Sequence, residues 1–307
     1  MKKIISGLLM ISFILISGGI LRAEDAITLS GAWAIYPTAV AWSEAFQKKH
    51  PGVKIDVSAG GAGKGASDAI FGLVDIGMVS REVDPSEMKK GILPVYVLHD
   101  AVFPVVSNKN PVLQDLLKKG IKKQGWIDIY ASGLVTTWDS IVKRKVNKKL
   151  HVYTRSDACG AAASWAAYFG KKQEDLRGVG IYGDPGLLEA ATRDPIGIGY
   201  NNFSYIFTRD GSIVSGARIV PIDSNENGIA DSDEVYTNRD EAVKAIRAGR
   251  YPATRKNYFF VKGKPKKLVK EFIEFALSDE GTKIVDEVGT SLSLAKADRE
   301  KVLNEIK

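Results

Sequence analysis

Three segments of this chain repeat one local pattern: a short predicted strand, a loop of small residues and then a helix. The segments are 27–42, 54–71 and 151–168. The first turn of a helix carries backbone N–H groups without intrahelical partners and the positive end of the helix dipole, so it favours a bound anion. Glycine in such loops lets a ligand approach the backbone closely. Three loops of this kind, brought to one point, would form an anion-binding cleft.

Strand and helix patterns alternate along the rest of the chain, which predicts an α/β architecture. The predicted strands are 27–30, 53–58, 74–79, 95–107, 150–154, 197–200, 218–222 and 258–261. The predicted helices are 39–49, 66–73, 112–119, 161–169, 239–248, 267–277 and 280–288. The sequence contains no internal repeat at a fixed period and no low-complexity tract.

Residues 1–23 have the features of a secretory signal peptide, with Lys2 and Lys3 before an apolar run at 4–20 and a predicted cleavage after Ala23. An uncleaved membrane anchor is the alternative, because the run is near the minimum length that spans a bilayer. Cleavage predicts a periplasmic protein of 284 residues, enough for one large domain or two medium ones. The formal net charge falls from +7 to about +4, which indicates a solvated basic surface rather than nucleic-acid binding.

Cys159 is the only cysteine, so an intrachain disulfide and a lipid-anchored amino-terminal cysteine are both excluded. Its place in the third loop has three interpretations. A free cysteine packs as a small hydrophobe. A thiolate stabilised by the helix start and Arg155 would bind a soft species, such as trivalent arsenic or a metal ion. A nucleophile would need an adjacent base, and no histidine adjoins Cys159 in sequence, so we predict that the protein is not an enzyme.

A series of motifs recurs here in a characteristic order and spacing. They are Tyr36-Pro37 with Trp42 and Phe46, 60–65, 74–81, 133–138, 155–160, Tyr251-Pro252 with 258–265, and 278–281. Together they resemble the periplasmic phosphate-binding proteins of phosphate ABC importers, over nearly the whole mature chain. The resemblance implies a two-lobed α/β fold of the type II periplasmic-binding-protein kind, with the ligand cleft between the lobes. Lobe 1 would hold 24–106 and 251–307, and lobe 2 would hold 107–250.

The resemblance also implies which residues line the ligand site. The predicted ligand-binding residues are Trp33, Ala34, Ile35, Gly61, Ala62, Gly63, Lys64, Gly65, Ser80, Arg81, Arg155, Asp157, Cys159, Gly160 and Ala161. Arg155 matches the family's arginine and Asp157 the acid that supports it. A salt bridge of Arg155 with Asp157 or another acid is the alternative to a ligand contact. The alternative for Trp33 is a position in the core. The alternative for Lys64 and Arg81 is a solvated position at the rim of the ligand site. We expect the backbone amides of the three loops to donate to the anion.

Several positions depart from the family, whose members hold phosphate partly through hydroxyl groups. Ala34, Ala62, Lys64, Cys159 and Ala161 stand where the family has Ser or Thr, and Ser80 stands where one branch has Asp. A hydrogen bond to a charged partner contributes about 1.5–3 kcal/mol, so the resemblance does not extend to phosphate selectivity. The alanines widen the pocket and Trp33 adds an aromatic face. These changes favour a larger or less hydrated anion, such as an organic acid.

Residues 223–234 match the twelve-residue loop of EF-type calcium sites at every defined position. The predicted metal ligands are the side chains of Asp223, Asn225, Asn227, Asp231 and Glu234 and the carbonyl group of Ile229. Gly228 allows the sharp turn. An Asx-rich surface turn is the alternative. We expect a structural Ca²⁺ ion to brace this loop, and no catalytic cofactor.

The three loops and the resemblance together predict an exported solute-binding protein. Its expected action is to close two lobes over a small anion and to deliver it to an ABC permease. We expect a monomer that does not bind nucleic acid. The alternative partner is a membrane sensor of the receptor-kinase class, to which the protein would present an organic acid or a soft oxyanion bound through Cys159.

Overall fold

The structure of the protein is a computed structural model that describes residues 25–306. The predicted signal peptide, 1–23, lies outside the described residues. The strands are β1 (Asp25–Gly31), β2 (Val53–Ala59), β3 (Ile76–Val79), β4 (Ile92–Ser107), β5 (Ile121–Lys122), β6 (His151–Arg155), β7 (Val179–Ile181), β8 (Gly197–Asn202), β9 (Ala217–Ile219), β10 (Ile222–Asp223) and β11 (Thr254–Lys262). The α-helices are α1 (Tyr36–Lys49), α2 (Ala62–Phe71), α3 (Pro85–Lys89), α4 (Leu113–Lys119), α5 (Lys123–Tyr130), α6 (Trp138–Val142), α7 (Gly160–Tyr168), α8 (Gly183–Arg193), α9 (Phe203–Ile206), α10 (Arg239–Arg247), α11 (Lys267–Ala276), α12 (Asp279–Val288) and α13 (Lys296–Glu305). None of the helices between residues 25 and 306 combines the length and apolar character that crossing a bilayer requires.

The main sheet has the strand order β2-β1-β3-β11-β4-β8-β6-β7, and β9 pairs with β4. At one end β1 lies parallel to both β2 and β3, and at the other end β6 lies parallel to both β7 and β8. The antiparallel pair of β4 and β11 joins the two parallel groups. Strands β5 and β10 form a separate two-stranded sheet. This arrangement confirms the predicted α/β fold.

Two separate cores lie along this sheet. The first core gathers Trp42, Phe46, Phe259 and Phe272 with the inner faces of α1, α2, α11 and α12. The second core is richer in large aromatic residues and includes Trp126, Tyr130, Trp138, Trp165, Phe103 and Tyr200. Burial of large aromatic side chains contributes strongly to the stability of each core. The two cores give the molecule two lobes.

Strands β4 and β11 pass from one core to the other. Val95–Leu98 of β4 belong to the first core, whereas 101–106 belong to the second. A buried ion pair marks the crossing: Arg255 Nη2 of β11 lies 2.6 Å from Asp100 Oδ2 of β4, and the same guanidinium donates to Asn202. The lobe boundaries expected from the sequence, near 106 and 250, stay predictions, and the cores change close to these positions.

The prediction of one continuous strand over 218–222 is wrong in extent. It is divided into β9 and β10, because Pro221 lacks the amide hydrogen that a continuous ladder needs. Helix α2 also begins four residues earlier than predicted, so the second loop is shorter and 62–65 form the first helical turn. Helices α5, α8 and α13 lie in segments without a predicted element.

Candidate functional site

The three predicted loops meet where the two lobes touch. The Gly63 amide of α2 in lobe 1 donates a hydrogen bond of 2.9 Å to the carbonyl oxygen of Ala158 in lobe 2. A methyl group on Gly61 would lie 2.7 Å from that same oxygen. One on Gly160 would lie 2.1 Å from the carbonyl oxygen of Ser80. These contacts leave no room for larger residues, so the glycines set how closely the lobes approach.

Gly65 has a different role from its neighbours in the second loop. A methyl group on it would lie 2.4 Å from the Met78 carbonyl oxygen and 2.8 Å from the Ser30 carbonyl oxygen, which belong to β3 and β1. Gly77 faces the same helix, because its methyl group would meet the Gly65 carbonyl oxygen at 2.2 Å. Gly65 therefore lets α2 lie directly on the sheet, and it does so on the side away from lobe 2.

Many of the amides predicted to bind the anion already have acceptors within the protein. Gly61 N–H donates to the Gly31 carbonyl at 3.0 Å, and Ile35 N–H donates to the Ala32 carbonyl at 3.2 Å. Cys159 N–H donates to Gln173 Oε1 at 3.0 Å. Ala34 and Ile35 are fully buried as well. The amides of Gly61, Ile35 and Cys159 thus have acceptors within the protein, as does that of Gly63, which bonds across the lobes. The expectation that all three loops offer their amides to a ligand stays a prediction.

The amides that remain lie at the starts of two helices. Those of Ala62 and Lys64 in α2, and of Gly160 and Ala161 in α7, have no acceptor among residues 25–306. Helices α2 and α7 belong to different lobes and begin on either side of the Gly63–Ala158 hydrogen bond. Two positive helix ends are thus placed close to each other. A negative charge at this contact would be stabilised by both helices.

Arg155 lies at the end of β6 with a fully buried side chain. Asp157 accepts two hydrogen bonds from it, from Nε at 2.8 Å and from Nη2 at 2.6 Å. Its third nitrogen, Nη1, lies 2.7 Å from Oδ2 of Asp184, in the first turn of α8. The salt-bridge alternative therefore describes Arg155, and it involves both Asp157 and an acid that sequence reasoning missed. No local motif around Asp184 could have identified it.

The charges in this group are strongly coupled. Burial opposes the charged form of Arg155, but Asp184 and then Cys159 and Asp157 raise its pKa, so the guanidinium stays charged. Burial raises the pKa of Asp184 above its ordinary value, and Arg155 opposes that shift only in part. Oδ1 of Asp184 is buried and accepts no hydrogen bond from residues 25–306. The guanidinium is thus held between two carboxyl groups rather than presented alone.

The other two predicted cations are also paired. Lys64 donates to Asp68 one turn further along α2. Arg81 makes two parallel hydrogen bonds with Glu87, at 2.7 and 3.0 Å, and Glu87 is a buried residue that also caps α3. Both pairs are partly exposed to solvent, as the rim alternative predicted. Neither cation adds an uncompensated positive charge to the contact between the lobes.

Cys159 acts as the N-cap of α7. Its Sγ accepts a hydrogen bond of 3.3 Å from the Ala162 amide, the position that a serine hydroxyl takes in other helices. Burial raises the pKa of the thiol to about 12, although the charge of Arg155 lowers it. The thiol is therefore neutral near pH 7, which supports the packing interpretation and not the thiolate.

Trp33 contributes the aromatic side of the contact between the lobes. A methyl group on Gly183 would lie 3.3 Å from its ring, and the ring is edge-on to Tyr182; both residues are in lobe 2. The Tyr205 hydroxyl donates to its carbonyl oxygen at 3.4 Å. The indole Nε1 is buried and has no acceptor among the described residues. Trp33 therefore lies between the lobes and not in the core of lobe 1.

A groove of about 620 Å³ opens beside these contacts. Its walls come from both lobes and include Gly63, Arg81 and Glu87 on one side and Cys159, Lys172 and Gln173 on the other. A groove shared by two lobes is a common position for a small-ligand site. It gives solvent a route to the beginnings of α2 and α7.

The predicted calcium loop closes through its own hydrogen bonds. Asp223 accepts from the amides of Asn227 and Gly228, at 3.1 and 2.8 Å, and Glu234 accepts from the Ser224 amide at 2.7 Å. Oδ2 of Asp231 accepts from the side-chain amides of Asn225 and Asn227. Among residues 25–306, no group of three or more His, Cys, Asp or Glu side chains is arranged to hold a metal ion. The calcium site stays a prediction.

Comparisons with known proteins agree with this geometry. The chain is 26% identical to the phosphate-binding protein PstS of Bacillus subtilis, over 84% of this chain and 77% of that protein, and 27% identical to SphX of Synechococcus elongatus, over 88% and 78%. Both alignments extend over most of the length of the relative. The first is named as a binding protein, which confirms the prediction that the chain is not an enzyme.

Solved structures share the fold. A candidate phosphate ABC transporter substrate-binding protein from Clostridium perfringens, with bound phosphate, superposes with a TM-score of 0.72 at 23% identity, over 88% of this chain and all of that one. An ABC-type phosphate transport receptor from Vibrio cholerae gives 0.66 at 20% identity, over the same shares. A family model described as a PBP superfamily domain matches residues 21–280. The chain therefore belongs to the PBP superfamily, and it resembles the phosphate-binding proteins of that superfamily.

Proposed function

We propose that this chain is a solute-binding protein of an ABC importer and that it binds a small anion between its lobes. The meeting of α2 and α7 carries the proposal. Each helix beginning offers free amides and the positive end of its dipole, so two of them at one contact favour a bound anion. The free amides of Ala62, Lys64, Gly160 and Ala161 are donors of the right kind. The named activities of the relatives support the same class of ligand.

The finer proposal concerns which anion is bound. Alanines at 34, 62 and 161 and a neutral thiol at 159 provide none of the hydroxyl donors that a strongly hydrated oxyanion needs. Each lost hydrogen bond to charge costs about 1.5–3 kcal/mol. Together with the aromatic face of Trp33, this favours a less hydrated anion, such as a small organic acid, over phosphate.

A titration of the mature protein tests both levels of the proposal. Isothermal calorimetry and melting curves would compare phosphate, sulfate and a series of small mono- and dicarboxylates. A ligand at 100 times its Kd should stabilise the folded protein by about 2.7 kcal/mol. Binding of a carboxylate more tightly than phosphate supports the full proposal. Tight phosphate binding contradicts the preference for an organic acid, and no binding of any anion contradicts the function.

The location and partner follow from the same proposal. We propose that residues 1–23 direct export, that the mature protein is a periplasmic monomer, and that it delivers its ligand to a permease in the membrane. Co-purification with a permease of the ABC class would support this partner. A receptor kinase recovered in its place would support the sensor alternative.

A further inference from the structure

Two large apolar side chains protrude at one end of lobe 1. Phe71 is the last residue of α2 and is 73% exposed, and Leu73, two residues further on, is 70% exposed. Gly72 between them has a φ of +68°, the left-handed conformation that ends the helix and turns the chain. Apolar residues scattered singly on a surface are ordinary, but two that stand together at this exposure indicate a contact surface.

Lysine side chains lie beside these two residues. A pocket joins Gly72 and Val74, on either side of Leu73, to the loop between β11 and α11. Its walls include three exposed lysines: Lys262, Lys264 and Lys266. The exposed apolar side chains are therefore bordered by positive charge.

Most of this charge is uncompensated. Lys266 pairs with Asp75 at 3.0 Å, whereas Lys262 and Lys264 have no carboxylate partner within the part of the chain that the structure describes. The exposed Lys90, likewise unpaired there, adjoins the same loop, because the residues that follow Lys90 and Lys262 share a backbone hydrogen bond of 2.8 Å. We call Phe71, Leu73 and the four lysines the basic face.

The basic face lies at the end of lobe 1 away from the candidate ligand site. Strands β1 and β3 are parallel and β11 is antiparallel to β3, so the starts of β1 and β3 and the end of β11 share one end of the sheet. Helix α2 spans about 15 Å from Ala62 at the site to Phe71 at this end. The predicted export segment, 1–23, also joins the chain at this end, because β1 begins at Asp25.

We propose that the basic face docks on a bilayer surface that contains anionic lipids. The lysine ammonium groups would lie against lipid phosphate groups, and Phe71 and Leu73 would enter the boundary between the headgroups and the acyl chains. Lysine suits this position because its stem packs along apolar surface while its charge stays at the headgroups. The position of Asp25 supports the same occupant, because a chain exported through a membrane has this end nearest to the bilayer. This docking leaves the groove between the lobes uncovered, so it adds a second surface to the proposed function.

Co-sedimentation of the mature protein with lipid vesicles tests the proposal. Vesicles of phosphatidylglycerol mixed with phosphatidylcholine present an anionic surface, and vesicles of phosphatidylcholine alone do not. We expect binding to the mixed vesicles that weakens as the ionic strength rises, and no binding to phosphatidylcholine alone. Inorganic phosphate added at constant ionic strength should leave the protein bound. Release by phosphate would assign the lysines to free phosphate and overturn the proposal.

Two double variants test the two halves of the basic face. Lys262→Glu with Lys264→Glu reverses two unpaired charges, and each lysine near an anionic surface contributes roughly fivefold to the affinity. We therefore expect the affinity for mixed vesicles to fall by at least about 20-fold. Phe71→Ser with Leu73→Ser removes the apolar insertion without changing the charge, and we expect a loss of similar size. All four side chains are exposed, so melting curves of both variants should match the wild type.

Lobe 2 provides matched controls. Leu134→Ser removes an apolar side chain that is 74% exposed, as Phe71 and Leu73 are, but at a position in the other lobe. Lys145→Glu with Lys148→Glu makes the same change in net charge at two exposed positions. We expect both controls to bind mixed vesicles as the wild type does. An equal loss in the charge control would mean that net charge alone governs binding, and it would overturn the role of the basic face.

The remaining outcomes separate this proposal from the proposed function. Absence of wild-type binding to mixed vesicles overturns the docking proposal, as does binding that neither double variant weakens. Retention on native membranes without retention on pure lipid vesicles would assign the basic face to a protein partner and also overturn it. Calorimetry should give both double variants the wild-type affinity for the anion. A protein that binds mixed vesicles through this face but binds no anion keeps the docking proposal and contradicts only the proposed function.

Discussion

Gly160→Ala should prevent full closure of the lobes while leaving each lobe folded. The added methyl group would lie 2.1 Å from the carbonyl oxygen and 2.2 Å from Oγ of Ser80. Contacts between carbon and oxygen need at least about 3 Å, so the lobes must stay about 1 Å further apart. Gly160 is the first residue of α7 and its backbone is helical, so alanine costs nothing within lobe 2 and stabilises a helix by about 0.4–1 kcal/mol.

The separation has a calculable effect on binding. A hydrogen bond of 2.9 Å that is stretched by about 1 Å is no longer a hydrogen bond. The Gly63–Ala158 hydrogen bond would be lost, and with it about 0.5–1.5 kcal/mol of the free energy that stabilises the closed lobes. Each bond from an anion to the second lobe would add about 1.5–3 kcal/mol. The loss of two such bonds reduces affinity by at least about 100-fold, since 1.4 kcal/mol corresponds to a factor of ten.

Calorimetry with the anion that binds best to the wild type measures this effect, and small-angle scattering of the same samples reports closure. Gly186→Ala is the matched control, because its methyl group lies within lobe 2 and meets only Ile181 Cγ2 at 3.2 Å. We expect the control to bind as the wild type does and both variants to melt near the wild-type temperature. Unchanged affinity in Gly160→Ala would refute the reasoning, because the contact with Ser80 would then be absent from the bound state.

Three further predictions concern the thiol, an acid and the metal loop. The folded protein should not react with iodoacetamide at pH 8, because Cys159 is buried with a pKa of about 12; stoichiometric labelling without urea would contradict this. Burial raises the pKa of Asp75, but hydrogen bonds from Lys266 and Thr28 outweigh burial, and the net effect is a lowered pKa. Asp75→Ala should therefore lower the free energy of unfolding by about 1–3 kcal/mol at pH 7, as measured by urea unfolding. That difference should shrink as the pH falls below 3.8, where the wild-type carboxylate takes up its proton; a constant difference down to pH 2 would exclude an ionic contribution. For the loop 223–234, 1 mM Ca²⁺ at a Kd of about 0.1–1 mM should stabilise the protein by about 0.4–1.4 kcal/mol and raise Tm by a few degrees, whereas Mg²⁺ should not; equal melting curves in Ca²⁺ and chelator would reject the site.

Most elements could be predicted because their signals are local. Pro37 in the first turn of α1 and Gly72 in the left-handed conformation after α2 are signals of this kind. Helix α8 also has a proline in its first turn, but Gly183-Asp184-Pro185-Gly186 has the composition of a turn, and Gly183 has a φ of +73°. Its apolar face is buried through Leu187, which belongs to the second core, and Ala191, and no sequence window contains these long-range contacts.

The candidate site could likewise be predicted only in part from the sequence. The three loops could be located in advance, since a strand, small residues and a helix follow one another in the chain. Which amides stay free depends on partners that the fold brings from elsewhere. Gly63 is bonded to Ala158 across the lobes, and the Cys159 amide is bonded to Gln173. Long-range contacts of this kind leave no periodic pattern in the sequence.

The charge of the site is the property that local sequence describes least well. Arg155 and Asp157 are two residues apart, and their spacing predicts an arginine supported by one acid. Asp184 comes from a separate helix and adds a second carboxyl group to that pair, at 2.7 Å from Arg155 Nη1. A family resemblance predicts where Arg155 lies but not the electrostatic field around it, because that field depends on every carboxyl group within about 6 Å. Asp184 is therefore the member of this buried group that only the folded chain, and no local sequence pattern, brings to Arg155.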